Sequence, residues 1–80
     1  MNKPKLINII PMHDFKLHLE YEDNEFKVFD VLPYIDGDWY GKLKNRQYFM
    51  NVHISNNTVV WQEGQDIAPH ELYEYSFLIK

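Results

Sequence analysis

The 80-residue sequence contains no cysteine, which excludes disulfides, thiolate metal centres and a cysteine nucleophile. Glycine is scarce. Gly37, Gly41 and Gly64 are the only three, and their spacing does not fit a phosphate-cradling loop. Ser55 and Ser76 are the only serines, and neither stands in a nucleophile elbow. Long apolar runs are absent too: Leu6, Ile7, Ile9 and Ile10 are interrupted by Asn8 and stopped by Pro11, too short for a membrane span. The same stretch lacks the cleavage pattern of a signal peptide. A cytoplasmic chain with no membrane association is therefore expected, and the lack of cysteine fits a reducing compartment. Basic residues are outnumbered, with 8 Lys and Arg against 12 Asp and Glu for a net charge of −4. That balance is the reverse of a phosphate-neutralising footprint. Only Lys42, Lys44 and Arg46 gather positive charge locally. They support an alternative reading as a transcriptional or nucleic-acid-associated regulator, with nucleic acid as a lesser expectation than a protein partner.

What is present describes a folded globule. Hydrophobic residues make up 45% of the chain and aromatics 16%, enough for one core, and the length sets a single domain with its core over about residues 5–78. Residues 5–10 read as a strand buried on both faces or covered on one side, which ends or bulges at Pro11, since proline cannot donate to a ladder. Phe15, Leu17, Leu19 and Tyr21 alternate with Lys16, His18, Glu20 and Glu22, the period of a half-buried strand. Asp23-Asn24 is a two-residue hairpin turn, and a return strand with apolar groups on both faces runs over 25–31. Asp36 caps a short helix carrying Trp39, Tyr40 and Leu43 on one face. Alternation from Gln47 to Ser55 predicts a strand with Tyr48, Met50, Val52 and Ile54 on one side. Asn56-Asn57 is a second hairpin turn, followed by a strand over 58–62. A final helix starts with Ala68 as N-cap and Pro69 at its first position. Glu71 is placed to reach back to the cap, and Ile67 and Leu72 to form a hydrophobic staple. The order β-β-β-α-β-β-α implies an α+β fold, a small, mainly antiparallel sheet with helices packed on it.

The residues Phe15 to Tyr21, Val28-Phe29-Asp30-Val31-Leu32, Leu43, Tyr48-Phe49 and above all Trp61-x-x-Gly64-x-Asp66-Ile67-x-Pro69-x-x-Leu72-Tyr73 resemble the bacterial family of domain of unknown function 2442. The likeness extends from about Ile9 to Tyr73. Two positions depart from the pattern: Ala68 replaces a small polar cap, and Gln62 stands where proline is frequent. The resemblance implies an α+β fold, no agreed chemistry, and an antitoxin-like pairing with another small protein. It is to the short form, without the helix-turn-helix extension of longer relatives.

The chemistry-bearing residues do not form a constellation. His13, His18, His53 and His70 have none of the short spacings of zinc sites, so no metal is expected. Glu20, Glu22, Asp23 and Glu25 cluster at a hairpin tip, where water solvates them. Asp30 interrupts an apolar run, and its side chain is expected to take backbone N–H groups where the strand turns away. Asp66 is read as ordering its loop. No enzyme activity, cofactor or small-molecule substrate is expected. The surplus of aromatics points to a protein–protein interaction module acting through a partner or self-association. Trp39, Tyr40, Trp61, Asp66, Tyr73 and Tyr75 are the candidate interaction residues. Within that set, Trp61 and Tyr73 are expected at the edge of the core, and Trp39 and Tyr75 in solvent.

Overall fold

The computed structural model of the protein describes residues 4–79. Strands β1 (Leu6–Pro11), β2 (Lys16–Tyr21) and β3 (Glu25–Asp30) form an antiparallel meander. Pro11 ends β1, as its missing N–H requires, and the irregularity in this strand lies instead between Leu6 and Asn8. Asp23 and Asn24 both adopt positive φ, 66° and 59°, but Tyr21 pairs with Glu25, so the connection is the three residues 22–24 and not the two-residue turn expected. Leu17, Leu19 and Tyr21 are buried, as their alternation predicts. Phe15 departs from that pattern. It lies before β2 at φ 62°, where its N–H bonds the Met12 carbonyl to close the turn, and its ring packs edge-on against Phe49. On β3 the face that buries Phe29 also buries Lys27. Asp30 accepts the Leu32 N–H at 3.1 Å and stops the strand.

Residues 32–50 hold four short helical turns. A 3-10 turn at Leu32–Tyr34 leads to α1 (Gly37–Tyr40), whose N-cap Asp36 accepts the Gly37 N–H at 2.8 Å. A second 3-10 turn, Gly41–Lys44, buries Leu43. Helix α2 (Arg46–Met50) follows and replaces the first half of the strand expected from Gln47 to Ser55. The cause is a cap: the Asn45 side chain accepts the Tyr48 N–H at 3.1 Å, satisfying an orphan donor of the first turn. The turn then buries Phe49, which strict alternation assigned to the polar side. Only β4 (His53–Ser55) remains as strand.

Strand β4 pairs with β5 (Thr58–Val60) across Asn56 and Asn57, both at positive φ, in a separate two-stranded sheet. Helix α3 (Pro69–Glu74) begins at Ala68 with Pro at its first position, and Ile67 and Leu72 are both buried. The Glu71 carboxylate accepts the Tyr34 hydroxyl at 3.3 Å, and the Ala68 side chain caps nothing. Ala68→Ser is therefore expected to stabilise the domain by about 1 kcal/mol, read as a rise of roughly 4–8 °C in melting temperature. A lower melting point would contradict this helix start. A strand absent from the sequence reading, β6 (Phe77–Leu78), pairs antiparallel with β3 and completes a four-stranded sheet of order β1-β2-β3-β6. The fold is α+β. The side chains of Leu17, Leu19, Phe29, Leu43, Phe49, Val59, Trp61, Ile67 and Leu72 meet in a single core on one face of that sheet.

Candidate functional site

The segment with the most distinctive spacing, Trp61 to Tyr73, joins β5 to α3. Trp61 N–H bonds the Gln65 carbonyl at 2.8 Å, and Gly64 N–H bonds the Trp61 carbonyl at 3.0 Å. Gly64 sits at φ 97°, a conformation that side chains resist. The turn aims Gln65 inward, where it is fully buried. Its Oε1 accepts the Tyr48 hydroxyl at 2.7 Å, and its Nε2 donates to the Trp39 carbonyl at 2.9 Å. The Tyr48 hydroxyl in turn accepts the Glu63 N–H at 3.1 Å. Trp61 is buried, with Nε1 donating to the Phe49 carbonyl at 2.9 Å, and Thr58 Oγ1 donates to the Ile67 carbonyl. Read from its contacts, this segment is a buckle that fastens α1, α2 and α3 to the core.

These contacts divide the candidate interaction residues. Trp61 lies in the core and is withdrawn from solvent, because its indole fills the space between α2 and β5. Tyr40 is half-buried and donates to the Asp66 carbonyl at 2.9 Å; burial raises its pKa. Asp66 is exposed, and its backbone bridges to Val60. Tyr73 is half-buried, stacked edge-on against Tyr21 at 5.0 Å. Trp39 and Tyr75 are exposed. The three cations also separate. Lys42 Nζ meets both carboxylate oxygens of Glu63 at 2.7 Å, which raises its pKa. Arg46 lies over the Phe15 ring at 6.0 Å, and Lys44 is exposed.

The largest apolar exposure lies on β6 and just beyond it, where sequence reasoning placed no element. Phe77, Leu78 and Ile79 are 70%, 63% and 56% exposed. Register places Phe77 and Ile79 on the sheet face that points away from the core, and Leu78 between them on the face of Lys27. Ile10, His18, Val28 and Phe77 are directly opposed across the four strands, and Ile79 N–H bonds the Phe26 carbonyl at 2.9 Å. A hollow of about 80 Å³ on this face is lined by Ile10, His18, Glu20, Phe26 and Ile79, among others. Two larger hollows, of about 490 and 530 Å³, lie along α2. They are polar or shallow and open to solvent.

A second cluster sits at the turn end of the β2–β3 hairpin on the core face. Lys27 is buried, its Nζ 3.8 Å from the centre of the Tyr73 ring and donating to the Tyr73 carbonyl. Ser76 Oγ donates to the same carbonyl at 2.8 Å. The Tyr21 hydroxyl and Glu25 Oε1 are buried without a hydrogen-bond partner among the described residues. One oxygen of Glu25 is thus withdrawn from the water expected at a hairpin tip. Burial pushes the Tyr21 pKa far up, helped by Tyr73 and Glu25. A hydrogen bond to Glu25 raises that of Tyr73, with burial adding to it. The folded state therefore keeps these protons after the unfolded chain releases them. Their stabilisation is complete below about pH 10 and is lost as pH rises beyond it. Tyr21→Phe removes an unpaired hydroxyl. It is expected to leave stability at pH 7 unchanged or raise it by about 1 kcal/mol and to flatten the decline above pH 10. Thermal melts at both pH values check this, and a loss at pH 7 would show the hydroxyl to be partnered.

Among the described residues no three His, Asp or Glu side chains come together as a metal site, and no helix is long and apolar enough to cross a membrane. Fold and surface together define a small α+β domain with a helical layer on one face of its sheet and an uncovered opposite face. The chain belongs to the family described as "Protein of unknown function (DUF2442)", whose model matches residues 6–77. No curated protein and no solved structure matches it.

Proposed function

We propose that this chain is a non-catalytic protein-binding module that docks through the β6 edge and the outer face of the four-stranded sheet. One observation carries the reading: Phe77 and Ile79 stand in solvent opposite Val28 and Phe26 on an uncovered sheet face, with exposed Leu78 between them at the strand edge. Contiguous exposed apolar surface of this kind marks interaction sites, and a free strand edge offers backbone groups that another chain can complete. The acidic groups support a non-catalytic role, because several are spent on structure. Glu63 holds Lys42, Glu22 accepts the Lys5 N–H at 2.9 Å, Asp36 caps α1 and Asp30 takes the Leu32 N–H. The pairing of Lys42 with Glu63 weighs against the nucleic-acid reading. In the antitoxin-like form of the proposal the partner is another small protein, met in the cytoplasm that a cysteine-free chain suits.

The test compares tagged wild type with Phe77→Glu in lysate of the host cell. Phe77 projects into solvent, so the variant should melt within about 0.5 kcal/mol of wild type. Wild type is expected to retain a stoichiometric polypeptide, either a further copy of this chain or a different protein, and the variant at least tenfold less. Equal retention by both, or none by either, would remove the proposal.

A further inference from the structure

We infer that the occupant of the β6 edge is a second copy of this chain, the two β6 strands pairing antiparallel about a two-fold axis at Leu78 to join the two sheets into one. This rests on the protein-binding reading above and names its partner. The backbone geometry supplies the first argument. Ile79 N–H bonds Phe26 on β3, and alternate residues of an antiparallel strand face the same neighbour. Phe77 therefore also faces β3, while the N–H and C=O of Leu78 point to the open side. One hydrogen-bonded Leu78 pair across the axis would satisfy both groups in each copy.

The second argument is self-complementarity. In that register Phe77 of one copy lies opposite Ile79 of the other, on the same outer face and twice over. Tyr75 to Ile79 carry no charge, so the overall net charge of −4 places no like charges at the seam. Edge strands are ordinarily defended by lysine, proline or an inward-pointing charge, and Phe77 to Ile79 hold none of these. The third argument is closure. At the opposite edge, Leu6 N–H of β1 is already taken by Asn57 Oδ1 at 2.7 Å. Pairing β6 with β6 about a two-fold axis uses the same edge in both copies, which gives an isologous dimer and not a filament. Area sets the strength. With side chains of this class presenting about 150–250 Å² when fully exposed, Tyr75, Phe77, Leu78 and Ile79 offer about 500 Å² per copy. Complete cover in a pair would bury about 1,000 Å², the low end for a specific interface, so a weak, concentration-dependent dimer is expected.

The experiment is sedimentation equilibrium on the full chain from about 10 µM to 1 mM, with amide hydrogen exchange at the same concentrations. Leu78→Glu is the variant. In the monomer its carboxylate would lie opposite Lys27, with which Leu78 is in register; in the dimer it would meet its own counterpart across the axis. Wild-type mass should rise from 9.7 kDa towards twice that value, with exchange of the Leu78 amide slowing in parallel. Leu78→Glu should stay monomeric with an unchanged melt at the lowest concentration. A wild type that remains monomeric at 1 mM, a variant that dimerises equally, or a dimer whose Leu78 amide exchanges freely would each overturn the inference. If wild type is monomeric but Phe77→Glu still abolishes capture of a different protein from lysate, the binding module stands and only the second copy falls. If neither assay shows association, both fall.

Discussion

Trp61→Ala is expected to destabilise the domain by about 3–5 kcal/mol, the usual cost of emptying a buried large aromatic site. Native domains hold only about 5–15 kcal/mol in total, so the variant should show a much lower urea midpoint or be unfolded at 25 °C. Trp61 touches the fold in two ways that can be separated. Its ring packs against Phe49 at 5.8 Å between centroids. Its Nε1 satisfies the Phe49 carbonyl, one of the groups that the last turn of a helix leaves without an internal partner. Trp61→Phe keeps much of the packing and removes the donor, and should cost about 1–3 kcal/mol. Equal losses in the two variants would assign the stability to the hydrogen bond and not to the ring.

Gln65→Leu is expected to cost about 2–3 kcal/mol although leucine is close in size and more apolar. The substitution leaves the Trp39 carbonyl without its Nε2 donor and the Tyr48 hydroxyl without its acceptor. The hydroxyl keeps the Glu63 N–H, so its loss is partial. Because Tyr48 and Gln65 share one bond, Tyr48→Phe and Gln65→Leu should be strongly non-additive. The double variant should fall short of the sum of the singles by about 0.5 kcal/mol or more. Urea unfolding of the four proteins measures this, and simple additivity would mean the Tyr48–Gln65 bond carries no stability.

The parts of this architecture visible in the sequence are those set by local chemistry. Asp23-Asn24 and Asn56-Asn57 announce their turns because these side chains tolerate the left-handed backbone. Pro69 marks the start of α3 because it has no N–H to lose at the first helical position. Asp30 was legible for the same kind of reason. Features decided by tertiary contact were not. Tyr48, Met50, Val52 and Ile54 follow the two-residue period of a strand, and the one local signal for a helix there is Asn45, a cap residue three positions before Tyr48. Strand β6 follows α3 with only Tyr75 and Ser76 between, and two residues are too few for periodicity. Its exposed run, the centre of the proposed docking surface, therefore lay outside the aromatic set chosen from composition. Of that set, Trp61 proved structural. The burial of Lys27 and Gln65 has no local signal, because nothing near them in the chain announces that Tyr73, Tyr48 and Trp39 will meet them.

Asn57 occupies a place where two demands conflict. Its φ of 64° is one that glycine adopts more readily, and a turn-optimised sequence would put glycine there. Yet its carboxamide also accepts the Leu6 N–H and donates to the Pro4 carbonyl at 3.4 Å, stitching the amino-terminal segment to a hairpin more than fifty positions away in the chain. A replacement that improves the bend would unfasten that segment, so the opening of β1 and of the β4–β5 hairpin belongs to one cooperative unit of local unfolding. Consensus-style engineering at this position would trade away long-range order for local comfort.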